Sequence, residues 1–238
     1  METVLPIAEI FDSVQGEGQW AGTRMVFIRL AGCNVGKSAR ALKIDTPFPL
    51  LPTGREAVAC TSWDGRSFPC DTDYNLTEKQ TPAQLAELVR STGAQHICFT
   101  GGEPLLHWPL LENVTAELGE EWCERPRIHI ETSGTLVPRP YGQFRKLILP
   151  GYWVTVSPKI NCQDTMVKRA DELKLLVDEH LNADNLTPAM REHNNVFISP
   201  INGVNEIDHR NVDRCRELQK TFPHWRISVQ QHKIFGWR

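Results

Sequence analysis

Short runs of β-branched and aromatic residues punctuate the chain and predict strands: RMVFIRL (24–30), HICFT (96–100), RIHIET (127–132), WVTVS (153–157), ELKLLV (172–177), NVFISP (195–200) and WRISVQ (225–230). Gly, Pro, Asn or Asp bounds them. Between them the apolar period lengthens to that of a helix. In TEKQTPAQLAELVRST (77–92), Leu85, Leu88 and Val89 share one face, and Thr81-Pro82 suits a cap and first turn. LLENVTAELGE (110–120) and NEIDHRNVDRCRELQKTF (205–222) repeat that spacing. Strands alternating with helices predict a parallel α/β fold, in which ligands gather at the C-terminal ends of the strands. Residues 34–70 break the pattern: little periodicity, four prolines and several glycines predict a long irregular loop.

The turns that follow the strands carry the candidate chemistry. HICFTGGEPLL (96–106) ends a strand on two glycines, then places a carboxylate and a proline before leucines resume. Glycines there permit a close backbone approach, expected to be to a ligand, and Pro104 suits the first turn of a helix. HIETSGT (129–135) and TVSPK (155–159) put small hydroxyl residues at strand ends, and SP (199–200) closes another strand. All four turns fall on one end of one sheet.

Composition adds limits. With 238 residues, 40% hydrophobic, 23% charged and a net charge of -3, the chain suits one large domain. Nothing in that balance signals nucleic-acid or membrane-surface binding. A start without a basic segment and long apolar run, and the lack of a span-length apolar stretch, lead to the expectation of a cytoplasmic protein. The cysteines are Cys33, Cys60, Cys70, Cys98, Cys123, Cys162 and Cys215. Their odd number disfavours a disulfide framework. Cys98 and Cys215 fall at core positions, and Cys123 and Cys162 in or near loops. Cys33, Cys60 and Cys70 bracket the irregular segment, where they are either soft metal ligands or unrelated thiols; spacing leaves both readings open.

Early cysteines followed by Gly-Gly-Glu-Pro after a strand resemble the radical S-adenosylmethionine superfamily. More narrowly, IFDSVQGEGQWAGTRMVFIRLAGCN is similar to the N-terminus of the 7-carboxy-7-deazaguanine synthase family. CDTDY (70–74), FTGGEPLL, ETSGT, VSPK, ELKLLV and the closing ISVQQHKIFGWR then fit in order, so the resemblance runs from about residue 8 to the C-terminus. One departure stands out. The superfamily usually spaces its cysteines C-x3-C-x2-C, whereas Lys37 stands four positions after Cys33 and Ser67 three before Cys70.

The resemblance implies a partial, open parallel β/α barrel in a single domain over 1–238, with an expanded cluster-binding loop at about 34–70. It implies a [4Fe–4S] cluster on Cys33 and Cys70, with the third ligand carried onto Cys60. S-adenosylmethionine on the open iron would meet Gly102, Glu103, Ser133, Ser157, Pro158 and Lys159. One electron would cleave it to a 5′-deoxyadenosyl radical. The implied reaction, that of a carbon–nitrogen lyase, turns 6-carboxy-5,6,7,8-tetrahydropterin into 7-carboxy-7-deazaguanine with loss of ammonia, toward queuosine and related deazapurines. Val14, Gln15, Gly16, Glu17, Arg29, Thr100, His232 and Arg238 fall where the family holds its substrate, and Thr72 where it binds Mg²⁺. A guanidinium such as Arg29 suits bidentate contact with a carboxylate. An electron donor such as flavodoxin or ferredoxin and a homodimer are implied as well, without nucleic acid or membrane. Two rival readings are another radical S-adenosylmethionine enzyme, such as a glycyl-radical activase, and a zinc-binding module.

Overall fold

The structure, a computed structural model, describes residues 3–42, 48–122, 127–138, 151–202 and 207–236. In chain order its elements are β1 (Leu5–Val14), β2 (Arg24–Leu30), α1 (Ala39–Leu42), β3 (Ala59–Thr61), β4 (Ser67–Pro69), β5 (Glu78–Gln80), α2 (Pro82–Thr92), β6 (Ile97–Gly101), α3 (Trp108–Leu118), β7 (Ile128–Thr132) and β8 (Tyr152–Val156). There follow α4 (Asp164–Arg169), β9 (Glu172–Val177), α5 (Pro188–Arg191), β10 (Val196–Pro200), α6 (His209–Thr221), β11 (Arg226–Ile227) and α7 (Gln231–Phe235).

Nine strands form one sheet in the order β11-β10-β9-β8-β7-β6-β2-β1-β5. From β2 to β11 every pairing is parallel, while β1 and β5 add an antiparallel edge. Among the described residues β5 and β11 do not pair with each other, so the sheet stays an open α/β sheet rather than a closed barrel.

Period-two alternation sorts the strands' side chains into two faces. Val26, Ile28, Leu30, Ile97, Phe99, Ile128, Ile130, Val154, Leu173, Leu175, Val196 and Ile198 pack in one core with the apolar residues of α2, α3, α4, α5 and α6. Removing a side chain such as Leu85 or Ile97 from water contributes about 2 kcal/mol. α2 shows why its helix was legible. Thr81 Oγ1 accepts from Gln84 N–H and Gln84 Oε1 from Thr81 N–H, closing a capping box; Pro82 opens the first turn and Gly93 ends it at φ 66°.

The other face has a small apolar cluster of Met25, Phe27 and Cys98 with Phe11 and Trp20, and beyond it a row of polar and charged side chains. Across this face runs the segment after β1. Gly16 O accepts from Gln231 N–H at 3.1 Å and Ser228 Oγ from Gly18 N–H at 2.9 Å. Strands far apart in the sheet order are thereby joined, which requires the sheet to curl round this face.

Three expectations are corrected. β1 was not anticipated, because a register irregularity between Ile7 and Glu9 interrupts its alternation. Residues 34–70 are not wholly irregular: they contain the β3–β4 hairpin. Its turn is closed by Ser62 N–H to Arg66 O and Gly65 N–H to Ser62 O, with Gly65 at φ 89°, so Asp64-Gly65 was the missed hairpin signal. The last strand shrinks from 225–230 to Arg226–Ile227, because the chain leaves the ladder to bring Ser228 to Gly18 and then begins α7.

Candidate active site

The Gly-Gly-Glu-Pro turn is built by close approach of backbone to backbone. Gly101 has φ 123°, and a Cβ on it would stand 2.3 Å from Leu30 O. A Cβ on Gly102 would stand 1.9 Å from Gly32 O and 2.9 Å from the Cβ of Cys33. The glycines thus let the turn lie against the exit of β2, where Glu103 N–H donates to Gly32 O at 3.0 Å. Glu103 itself is fully buried. Its Oε1 accepts from Leu105 N–H (3.1 Å) and Thr132 Oγ1 (2.7 Å), and its Oε2 from Ser133 N–H (2.9 Å) and Ser133 Oγ. Within the protein it braces the turn after β7 and presents Ser133 and Thr135, whose hydroxyls lie 2.8 Å apart. Asn34 Nδ2 donates to Thr135 Oγ1 at 2.9 Å, tying the residue after Cys33 to the same rim.

The hairpin reaches this rim through the segment after β8. Ile160 N–H donates to Thr61 O, and Ser62 bridges to Lys159. Lys159 Nζ bonds Ser157 Oγ at 2.9 Å, faces the ring of Phe68, and Lys159 N–H donates to Ser133 O. Cys60, on β3, and Cys70, just past β4, are thereby carried toward Cys33. Burial raises the Cys60 thiol against the pull of Lys159, and Cys33 raises it further; burial pushes Cys70 up to about 11, with Cys60 among the charges that add to it. The phenol of Tyr74 is raised by burial and then by all three thiols. Cys60 thus interacts with Cys33 on one side and Cys70 on the other, and three soft donors on one rim suit an iron–sulfur cluster by kind. Among the described residues, however, no three His, Cys, Asp or Glu side chains stand gathered as they would to hold a metal ion. Thr72 is half-buried and its backbone N–H faces Cys70. Its neighbours are committed: Asp71 to Lys233 at 3.2 Å, and Asp73 to Thr53, Asn75 and Arg55.

A polar layer lies beside this rim on the face opposite α2 to α6. Arg29 pairs in register with Thr100, and Glu131 with Thr155, which pairs in turn with Glu172. Glu131 accepts from Thr100 Oγ1 at 2.8 Å and from Gln15 Nε2 at 3.1 Å. Burial alone would raise its carboxyl, but Lys174 and those two donors hold it below the usual range. Lys174 bonds Glu17 at 2.6 Å, and Glu172 accepts from Gln19 N–H at 2.7 Å. Arg29 stands 3.3 Å from Glu9 and over the ring of Phe11. His232 Nδ1 would meet a Cβ on Gly16 at 2.8 Å. Burial lowers this imidazole while Glu17 pulls the other way.

The structure therefore brings together Gln15, Gly16, Glu17, Thr100 and His232, with Arg29 in the same row and Val14 paired to Arg24 at the end of β1. Arg238 and Cys123 lie outside the described residues. Glu131, Glu172 and Lys174 were not singled out from sequence. The available signal was two charges spaced i, i+2 inside the apolar run ELKLLV, and one at the matching position of RIHIET.

No family model matches the chain. Curated relatives do. It is 33% identical to the 7-carboxy-7-deazaguanine synthase of Bordetella pertussis, covering 97% of both chains. It is 32% identical to those of Buchnera aphidicola, over 96% of each, and Bradyrhizobium diazoefficiens, over 98% of each. Its fold is similar to the crystal structure of QueE from Escherichia coli, with a TM-score of 0.60 at 23% identity, over 96% of this chain and 95% of that one.

Proposed function

The chain belongs to the 7-carboxy-7-deazaguanine synthase family, and on that premise we propose that it converts 6-carboxy-5,6,7,8-tetrahydropterin to 7-carboxy-7-deazaguanine with release of ammonia. The observation that carries this reading is the placement of the polar layer, from Arg29 through Thr100 and Glu131 to Lys174, beside the rim that carries Cys33, Cys60 and Cys70.

Cys33, Cys60 and Cys70 would hold the [4Fe–4S] cluster. When bound, cluster and S-adenosylmethionine would supply one-electron radical chemistry able to take a hydrogen atom from the substrate. Gly102, Ser133, Ser157, Pro158 and Lys159 line the cofactor side, with Glu103 acting through Ser133. Gln15, Glu17 and Glu131 offer acceptors to the donor-rich edge of a pterin, and Arg29 offers its guanidinium to the substrate carboxylate, exchanging Glu9 for it. Thr72 would supply an oxygen to Mg²⁺, an ion that prefers oxygen donors. His232 closes the substrate side, and the family resemblance alone assigns Arg238 to the substrate. The reading takes 1–238 as one domain, a homodimer as the working assembly, flavodoxin or ferredoxin as electron donor, and the cytoplasm as location. Among the described residues no helix is long and apolar enough to cross a membrane.

The test is anaerobic reconstitution of wild type and Cys60→Ala, followed by iron and sulfide analysis and product assay. Wild type is expected to hold about four irons per chain, as a [4Fe–4S] cluster requires, and to form 7-carboxy-7-deazaguanine. Cys60→Ala is expected to lose both. Zinc in place of iron would refute the radical reading, and iron retained by Cys60→Ala would refute the third ligand.

A further inference from the structure

We propose, resting on the reading above, that Lys174 is a positioning residue for the pterin substrate: its ammonium holds Glu17, and with it the turn 15–19, over the polar layer that receives the ring. Lys174 projects from β9 on the face opposite α2 to α6, in register with Phe197. Its Nζ lies 2.6 Å from Glu17 Oε2, and each side chain keeps 13% of its exposure. Two more carboxylates, Glu131 and Glu172, act on the same ammonium. Burial would discharge it, but the three together raise it far above the usual lysine range. One cation thus stands among carboxylates from β7, β9 and the turn.

The other anchors of the turn fall on either side of Glu17. Gln15 is held by Glu131 and by backbone bonds to Thr23 and Gly22. Gly18 and Gln19 are held by Ser228 and Glu172. Glu17 N–H donates to Gln15 Oε1, but its carboxylate is tied to the sheet through Lys174. Without Lys174, that carboxylate would face the charged Glu131 across the layer with no intervening cation, and like charges would push it and its turn outward. Lys174 therefore acts through Glu17 on substrate binding, leaving the cluster side of the mouth untouched.

A double-mutant cycle tests this on the iron-loaded enzyme: Lys174→Met, Glu17→Gln, the double variant, and Lys174→Arg, each with a thermal melt. The readouts are KM and kcat for 6-carboxy-5,6,7,8-tetrahydropterin, and equilibrium binding of that pterin without S-adenosylmethionine. Lys174→Met is expected to raise KM and the dissociation constant about 30-fold while kcat changes less than about 3-fold, and to add less than about 3-fold to Glu17→Gln. Lys174→Arg keeps the cation and is expected to fall between Met and wild type. If Lys174→Met does not fold, Lys174→Arg decides: a raised KM that disappears in the Glu17→Gln background supports the proposal, and a wild-type KM overturns it. Effects of Lys174→Met that add in full to those of Glu17→Gln, or that fall on kcat alone, also overturn it. A wild type that neither binds nor converts this pterin refutes the functional reading, and the proposal with it.

Discussion

Glu103 is the residue whose sequence context was most suggestive and whose role in the fold is most defined. Four donors, from Leu105, Thr132 and Ser133, converge on its two oxygens in a fully buried place. Glu103→Ala would leave them without an acceptor, and each buried unsatisfied group costs about 1–3 kcal/mol. Glu103→Ala is therefore expected to lose about 3 kcal/mol or more in urea unfolding. Glu103→Gln, which keeps one acceptor but turns an amide toward the Ser133 donors, should lose less. Equal stability of all three proteins would show that these bonds do not hold the rim. The carboxylate and the proline after it were legible because a strand followed by Gly-Gly-Glu-Pro is a local signal. Glu131, Glu172 and Lys174 were not, because a charge at alternate positions of a strand reads as a solvent-facing side chain. The long-range curl of the sheet makes that face an interior one, and no local window contains it.

Among the elements, those that depend on neighbours in sequence were read well. α2 carries its own capping box, and β6, β8 and β10 are buried parallel strands, which read as nearly continuous apolar runs. Three-residue strands such as β3 and β4 carry too few positions for a period, so only the Asp64-Gly65 turn could have revealed them. Two glycines separate the forces that shape these elements. Gly65 has φ 89° with nothing within 4 Å of an added Cβ, so Gly65→Ala meets backbone strain alone, about 1–2 kcal/mol. At Gly102 an added Cβ would meet the backbone of β2's exit at 1.9 Å. Gly102→Ala must therefore displace either the turn or the segment that carries Cys33. It is expected to cost about 3 kcal/mol and to lower iron uptake on reconstitution, whereas Gly65→Ala lowers stability without that loss. The two are compared by thermal unfolding and iron content; a Gly102→Ala protein that loads iron like wild type would contradict the close approach.

For the molecule as a whole, the polar face of the sheet makes stability depend on pH through two buried groups with opposite signs. Burial, with Glu17 and Glu131 adding to it, raises Glu172 from 4.5 to about 7. The folded chain then holds a proton that the unfolded chain has released, so this contribution is full below pH 4.5 and is lost as pH rises through about 7. Burial and the neighbouring His96 lower His129 from 6.5 to about 3. Its ring nitrogen lies 3.1 Å from that of His96, with Trp20 against both rings. Here the unfolded chain binds the extra proton, so stability is lost as pH falls from 6.5 toward 3. Between 4.5 and 6.5 the two slopes oppose each other at about one proton apiece and largely cancel. The variants separate them. Relative to wild type, Glu172→Gln is expected to gain stability progressively from pH 4.5 to 7 and to run parallel on either side. His129→Asn is expected to gain progressively as pH falls from 6.5 toward 3. Urea unfolding across this range provides both difference curves. A Glu172→Gln curve parallel to wild type throughout would mean that Glu172 is charged in the folded chain already at pH 5. The layer over which the turn 15–19 lies would then carry one more negative charge than its burial allows.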